Sequence, residues 1–140
     1  IDAARTDSRC QLVAGGTADD SEGFFVAPTV IQVSDPQHAL MREEIFGPVV
    51  TLQAFDSDED ALALANASNY GLSASLFTND LSRAHRFAAQ LRVGMVWINT
   101  WLMRDLRTPF GGSGASGVGR EGGMEAMRFF TEAKNVGLNI

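Results

Sequence analysis

Cysteine, histidine and lysine are scarce in this chain of 140 residues. Cys10 is the only cysteine, which excludes an internal disulfide framework and any multi-cysteine metal site and favours a reducing, cytoplasmic compartment. The two histidines, His38 and His85, fall in different predicted elements, so a zinc or iron site would depend on carboxylates for most of its ligands. We therefore predict no metal site.

Long apolar runs are absent as well. No stretch approaches the roughly 18 apolar residues of a membrane span, and the first residues carry several acids instead of a basic and then apolar leader. Lys+Arg number 11 and Asp+Glu 17, so the formal charge of −6 argues against a nucleic-acid or anionic-membrane partner. The composition is that of an ordinary soluble globular protein, 45% hydrophobic and 20% charged.

The apolar pattern predicts an α/β fold. Strands are expected at residues 10–14, 24–33, 49–55, 72–78 and 95–98. The first two should form a hairpin, Pro28 should confine the second to an edge or a bulge, and the last reads as buried on both faces. Ser57 and either Asn79 or Asp80 should cap two helices that alternate with the later strands, and this alternation predicts a parallel sheet.

The C-terminal part differs in character. Residues 108–123 hold seven glycines and read as a loop with unusual backbone angles, a helix follows from Met124, and residues 135–140 alternate like a half-buried strand. The glycine loop matches G-x-G-x-x-G twice, but no strand directly precedes it and too little chain remains for the second half of a nucleotide fold. A phosphate cradle and a structural loop both remain open.

Two further segments could carry chemistry. Glu43 and Glu44 precede Phe46 and a Gly-Pro turn, where a fixed carboxylate can accept hydrogen bonds from two ribose hydroxyls and a ring can pack on a flat heterocycle. The alternative is that both acids are solvated and Phe46 belongs to the core. Residues 97–110 leave the last sheet strand with Arg104 and Arg107, which suits a planar anion or, equally, a surface ion cluster with Asp105.

Taken together and in order, these segments resemble the C-terminal portion of the NAD(P)-dependent aldehyde dehydrogenase family. The matching stretches are EEIFGPV, NYGLSASLFT, GMVWIN, PFGGSGASGVGREGG and FFTEAKNV, which cover nearly the whole chain. The form WLMRDLRTPFGG is similar to the branch that oxidises 2-hydroxymuconic and 2-aminomuconic semialdehydes. The implied fold is α/β, a parallel-sheet part of the catalytic domain over residues 1–134 with an oligomerisation strand at 135–140.

The resemblance also implies roles for single residues. Glu44 would hold the nicotinamide ribose and Phe46 would pack by the nicotinamide of NAD or NADP. Leu102, Arg104 and Phe110 would line the aldehyde channel, with Arg104 binding a carboxylate of the substrate. The glycine loop becomes an architectural turn.

The family's nucleophilic cysteine and its dinucleotide-binding sheet lie upstream of the matched part, so we assign no catalytic residue and interpret Cys10 as a small buried hydrophobe. We expect a fragment of an aldehyde-oxidising enzyme that needs the missing N-terminal portion as its partner and forms homo-oligomers. The absent start methionine and the unpaired final strand favour this over a stand-alone, non-catalytic binding or oligomerisation module.

Overall fold

Seven short strands, five α-helices and one 3-10 turn at Gly114–Ser116 make up the regular structure of the chain, in a computed structural model that describes all 140 residues. In chain order the strands and α-helices are α1 (Asp2–Thr6), β1 (Cys10–Ala14), β2 (Ala18–Asp19), β3 (Phe25–Val26), β4 (Thr29–Val33), α2 (Ala39–Arg42), β5 (Val49–Leu52), α3 (Asp58–Ala65), β6 (Ser73–Leu76), α4 (Leu81–Gln90), β7 (Met95–Ile98) and α5 (Gly123–Phe130). The chain divides into two units, Ile1–Ser68 and Asn69–Ile140. None of the helices is long and apolar enough to cross a membrane.

The first unit is organised by a three-stranded mixed sheet in the order β1-β4-β5. β1 and β4 are antiparallel, with Leu12 opposite Ile31, which confirms the predicted hairpin relation. β4 and β5 are parallel, with Ile31 opposite Thr51. The single strand predicted at 24–33, with Pro28 at an edge or a bulge, is instead divided into β3 and β4. Pro28 lies between them, so its missing N–H costs the central strand β4 no ladder bond.

The core of the first unit lies between this sheet and α1. Ala4, Ile31 and Val33 are its fully buried members. Thr29 is the buried polar residue at the start of β4, and its hydroxyl donates to the Ala27 carbonyl at 2.7 Å and accepts from the Gly16 N–H at 2.9 Å. Both bonds offset the cost of burying that hydroxyl.

The predicted helix caps are confirmed. The Ser57 hydroxyl accepts from the Asp60 N–H at 3.1 Å at the start of α3, and the Asp80 carboxylate accepts from the Arg83 N–H at 3.0 Å at the start of α4. These bonds satisfy N–H groups that have no partner within the helix.

The second unit contains the parallel pair β6 and β7, joined by α4. The predicted pairing of the strands at 72–78 and 95–98 is therefore confirmed. The strands predicted at 49–55 and 72–78 do not pair, and the other parallel pair is β4 with β5. β7 is only half-buried, contrary to expectation, because it has one neighbouring strand. Residues 131–140 form no ladder, and Val136, Leu138 and Ile140 are exposed, since no strand of the chain pairs with them.

Candidate functional site

The segment that carries Glu44 and Phe46 follows α2 directly. The side chain of His38 caps α2 by accepting the Leu40 N–H at 3.1 Å, and the Glu43 N–H closes the helix on the Ala39 carbonyl at 2.8 Å. The chain then leaves the helix and reaches Phe46 with a φ of 55°. A non-glycine residue in this left-handed region is uncommon, and such strain is concentrated at functional sites.

This strained turn presents its polar and aromatic groups to the surface. Phe46 is 91% exposed, so the alternative that it belongs to the core is wrong for this chain. Glu43 and Glu44 are exposed, and neither carboxylate takes part in a hydrogen bond or an ion pair. Both border a shallow depression of about 400 Å³ that Phe46 and Val49 also line. A free carboxylate beside an exposed ring fits the ribose and the flat heterocycle of a nicotinamide nucleotide.

In the second unit, Asn99 lies at the end of β7, where the loop of residues 99–110 begins. Its φ is 56°, and its side chain bonds the backbone of Thr78 twice, accepting the N–H and donating to the carbonyl, both at 2.8 Å. Because Thr78 follows β6, these bonds tie together the carboxyl ends of two parallel strands. The Trp97 indole donates to the Met103 carbonyl at 2.9 Å and brings the loop back to β7. Leu102 lies in this loop with a φ of 54°, and its side chain is half exposed.

The structure brings Arg104 and Phe110 together. The Arg104 guanidinium lies over the Phe110 ring at 4.2 Å from its centroid, and its Nη2 pairs with Glu121 at 3.0 Å. Phe110 and Glu121 form a β-bridge with reciprocal backbone hydrogen bonds of 2.7 and 2.8 Å. One edge of the guanidinium is thereby held, while its Nε and Nη1 groups bond to no other protein group. That free edge could accept a carboxylate.

The alternative of a surface cluster of Arg104, Asp105 and Arg107 is only partly realised. Arg107 pairs with Asp105 at 2.5 Å, and this bond lowers the pKa of the Asp105 carboxyl and raises the pKa of the Arg107 guanidinium. Arg104 takes no part in that pair. The two arginines of the loop therefore have separate partners.

A groove of about 410 Å³ borders the glycine loop. Phe110, Glu121, Phe129 and Phe130 line it, whereas Leu102 and Arg104 do not. Of the three residues predicted to line the aldehyde channel, only Phe110 therefore borders this groove.

The glycine loop is anchored through its own backbone. The Ser113 N–H donates to the Gly71 carbonyl and the Ala115 N–H to the Asn69 carbonyl, both at 2.9 Å, while the Ser116 hydroxyl accepts the Gly71 N–H at 3.0 Å. A phosphate cradle needs several free N–H groups aimed at one point. Here they are used internally, which favours the structural role.

Two residues that hold the site were missed by reasoning from sequence. Glu121 lies 17 positions after Arg104 and meets it only because the glycine loop folds back. Asn99 carried a usable signal, since asparagine tolerates the left-handed region and this one directly follows an apolar strand.

A sequence profile of the aldehyde dehydrogenase family matches residues 2–136. The chain belongs to the aldehyde dehydrogenase family. Members of this family are oxidoreductases, and membership confirms the resemblance from which the site residues were predicted. The individual roles of Glu44, Phe46, Leu102, Arg104 and Phe110 stay predictions.

Three aldehyde dehydrogenases that are similar to the chain are much longer than it. The 2-aminomuconic 6-semialdehyde dehydrogenase of Pseudomonas sp. is 45% identical over 98% of this chain and 29% of its own length. The 2-hydroxymuconic semialdehyde dehydrogenase of Pseudomonas sp. strain CF600 is 46% identical over 93% of this chain and 28% of its own length. Betaine aldehyde dehydrogenase from Staphylococcus aureus, solved in complex with NAD+, matches with a TM-score of 0.84 at 38% identity, covering 92% of this chain and 26% of that one. The chain thus spans less than a third of these enzymes.

Cys10, the sole cysteine, packs against the core of the first unit, as expected of a small hydrophobe. It is half-buried rather than buried, and its Sγ lies 3.7 Å from Nε2 of His38. Burial raises the pKa of its thiol, and the Asp7 carboxylate raises it further. A thiol with a raised pKa is a poor nucleophile at neutral pH.

Proposed function

We propose that the chain supplies cofactor-binding and substrate-binding surfaces of an NAD(P)-dependent aldehyde dehydrogenase that oxidises a carboxylated semialdehyde, as in the breakdown of aromatic rings. Such an enzyme converts the aldehyde to the acid, and the nicotinamide cofactor supplies the hydride acceptor. The position of the segment within the complete enzyme, near its C-terminus, stays a prediction.

The cofactor side of the proposal rests on Glu44 and Phe46. The Glu44 carboxylate is free and can accept two hydroxyl hydrogen bonds at once. The Phe46 ring is held outward by a backbone conformation that costs about 1 kcal/mol or more, which is consistent with a ring that is preorganised for a ligand.

The substrate side rests on one observation, the half-free guanidinium of Arg104. Its plane is set by the Phe110 ring and one terminal nitrogen is anchored by Glu121, so a substrate carboxylate would meet a fork that is already oriented. An oriented fork loses less side-chain entropy when it binds. The semialdehyde names of two relatives support an acidic substrate, although betaine aldehyde, the substrate of a third, is cationic.

The chain alone is proposed not to turn over. Its only thiol is Cys10, and burial together with the Asp7 carboxylate raises the pKa of that thiol, which makes it a poor nucleophile. Residues 135–140 are proposed to pair with a neighbouring subunit, because they alternate apolar and polar side chains and have no ladder in the chain.

Arg104→Ala tests the substrate proposal in a complete aldehyde dehydrogenase that carries this segment, for example a chimera with the 2-aminomuconic 6-semialdehyde dehydrogenase. A charge-assisted hydrogen bond contributes about 1.5 to 3 kcal/mol, so kcat/KM for a carboxylated semialdehyde should fall roughly 10- to 100-fold. The value for a neutral aldehyde of similar size should change little.

Arg107→Ala is the matched control, since it removes the same charge from the same loop but leaves Arg104 and Glu121 in place. It should affect both substrates by less than about 2-fold, because an exposed ion pair contributes little. Equal losses on the two substrates after Arg104→Ala would reject the carboxylate role.

A further inference from the structure

Three side chains that the proposed function does not use converge beside β1. Oδ2 of Asp7, Sγ of Cys10 and Nε2 of His38 all lie within 4.8 Å of one another. The Nε2 atom is 3.2 Å from the carboxylate oxygen and 3.7 Å from the sulfur. The three side chains are half-buried, with 11% of the His38 side chain and 23% of the Asp7 side chain exposed.

The backbone holds the three residues in place. The Cys10 N–H donates to the Asp7 carbonyl at 3.0 Å, and the Ser34 N–H at the end of β4 donates to the Arg9 carbonyl at 2.9 Å. The His38 N–H donates to the Asp35 carbonyl at 3.0 Å, which places the ring at the start of α2. The cluster is therefore built by the sheet and the first turn of a helix and not by mobile side chains alone.

The hydrogen bonds define where the ring proton of His38 lies. The Leu40 N–H donates to Nδ1, so Nδ1 carries a lone pair and the proton is on Nε2. This proton faces both the carboxylate oxygen and the sulfur. A cation bound to Nε2 would have to replace this proton.

The spacing of the donor atoms fits a tetrahedral ion. With bonds of about 2.3 Å to sulfur and about 2.0 Å to nitrogen or oxygen, neighbouring donors lie roughly 3.3 to 3.6 Å apart. The Nε2 atom of His38 lies close to that range from both other donors, at 3.2 Å from the carboxylate oxygen and 3.7 Å from the sulfur, and the oxygen lies within 4.8 Å of the sulfur. A thiolate, an imidazole and a carboxylate are also the donor types that Zn²⁺ takes, with a fourth position left for water.

One neighbouring charge opposes a cation. Arg9 donates from Nη2 to Oδ2 of Asp7 at 2.7 Å and from Nε to Oδ1 at 3.0 Å, and its Nη1 bonds Asp35 at 2.9 Å. Each carboxylate oxygen has two lone pairs, so Oδ2 can keep the arginine and still serve as a ligand. The Arg9 guanidinium charge lowers the affinity of the cluster for a cation. A variant without this charge, Arg9→Gln, should therefore bind the cation more tightly.

We propose that Asp7, Cys10 and His38 bind a divalent cation of the zinc type through one carboxylate oxygen, one thiolate and one imidazole nitrogen. Binding displaces the thiol proton of Cys10 to solvent and moves the ring proton of His38 from Nε2 to Nδ1, which ends the bond from Leu40. This proposal replaces the sequence-based expectation of no metal site. Because the chain has so few histidines and cysteines, a metal site needs a carboxylate ligand, and Asp7 supplies it.

The test is titration of the chain with Co²⁺, the spectroscopic substitute for Zn²⁺. Because Cys10 is the only cysteine, a thiolate-to-cobalt absorption band reports on this cluster alone. We expect the band to saturate at one equivalent, to disappear on addition of Zn²⁺, and to be absent in Cys10→Ser. Zn²⁺ should also slow the reaction of Cys10 with a thiol reagent.

His38→Asn and His85→Asn form a matched pair. Asparagine at position 38 keeps a side-chain oxygen to accept the Leu40 N–H, so α2 stays capped while the ligand nitrogen is lost, and affinity should fall about 10-fold or more. His85, exposed on α4, should be dispensable. Arg9→Gln should tighten binding by about 5-fold. The absence of a band in the unsubstituted chain, or equal behaviour of the two asparagine variants, would overturn the proposal.

Discussion

Gly94→Ala should destabilise the second unit because the glycine loop passes directly over this position. A Cβ at Gly94 would overlap the Gly111 carbonyl oxygen and lie 2.8 Å from its carbon, closer than ordinary contact by nearly 1 Å. The loop and β7 would have to separate, at a cost of about 3 kcal/mol. For a chain of this size the melting temperature should fall by roughly 10 °C.

Thermal unfolding followed by circular dichroism measures the effect. Gly47→Ala is the control, because a Cβ there has no neighbour within 4 Å and neither glycine has a positive φ. Replacing glycine by alanine therefore changes the backbone entropy alike in both variants. Only the new Cβ at position 94 clashes with backbone atoms. If the two variants melted within about 2 °C of each other, the close approach of the loop to Gly94 would be refuted.

Two other predictions concern the links that hold the chain together. Asn99→Ala should lower the free energy of unfolding by about 2 kcal/mol, because it breaks two hydrogen bonds to Thr78 and puts alanine at a positive φ, whereas Asn79→Ala should cost less than about 0.5 kcal/mol in the same denaturant titration. Hydrogen bonds from the Arg9 side chain, and secondarily from the Arg9 backbone N–H, lower the pKa of Asp7. The ionised Asp7 therefore stabilises the fold above its unfolded-state pKa, and this stabilisation is lost as the pH falls through the folded-state pKa. Urea unfolding between pH 5 and 2 should therefore show a steeper loss of stability for the unsubstituted chain than for Arg9→Gln, and parallel pH profiles would contradict the assignment.

Much of the fold follows from local sequence signals. Caps were predicted at Ser57 and at either Asn79 or Asp80, and Ser57 and Asp80 satisfy helix N–H groups within three residues. The errors arose where the outcome depends on distant neighbours. Pro28 was read as an edge signal, although the ladder begins only at Thr29, and β7 was read as fully buried, although it pairs on one side.

The candidate site was predictable to a similar degree. The resemblance indicated Glu44, Phe46 and Arg104, and the structure adds that Phe46 is strained and exposed and that Arg104 lies on Phe110. The pairing of Arg104 with Glu121 could not be predicted, because it depends on the path of the glycine loop between them. The meeting of Asp7, Cys10 and His38 likewise depends on strand register and not on sequence spacing.

The measurement that tests the central claim most directly is NAD binding by Glu44→Gln and Glu43→Gln in a complete enzyme that carries this segment. Both acids are exposed and free of partners, so the two substitutions are matched in charge and position. If the chain forms the cofactor surface through Glu44, its substitution should raise the dissociation constant of NAD about 10-fold or more, with the KM for the aldehyde nearly unchanged, and Glu43→Gln should have little effect. Unchanged NAD binding after Glu44→Gln, or equal weakening by both substitutions, would contradict the account.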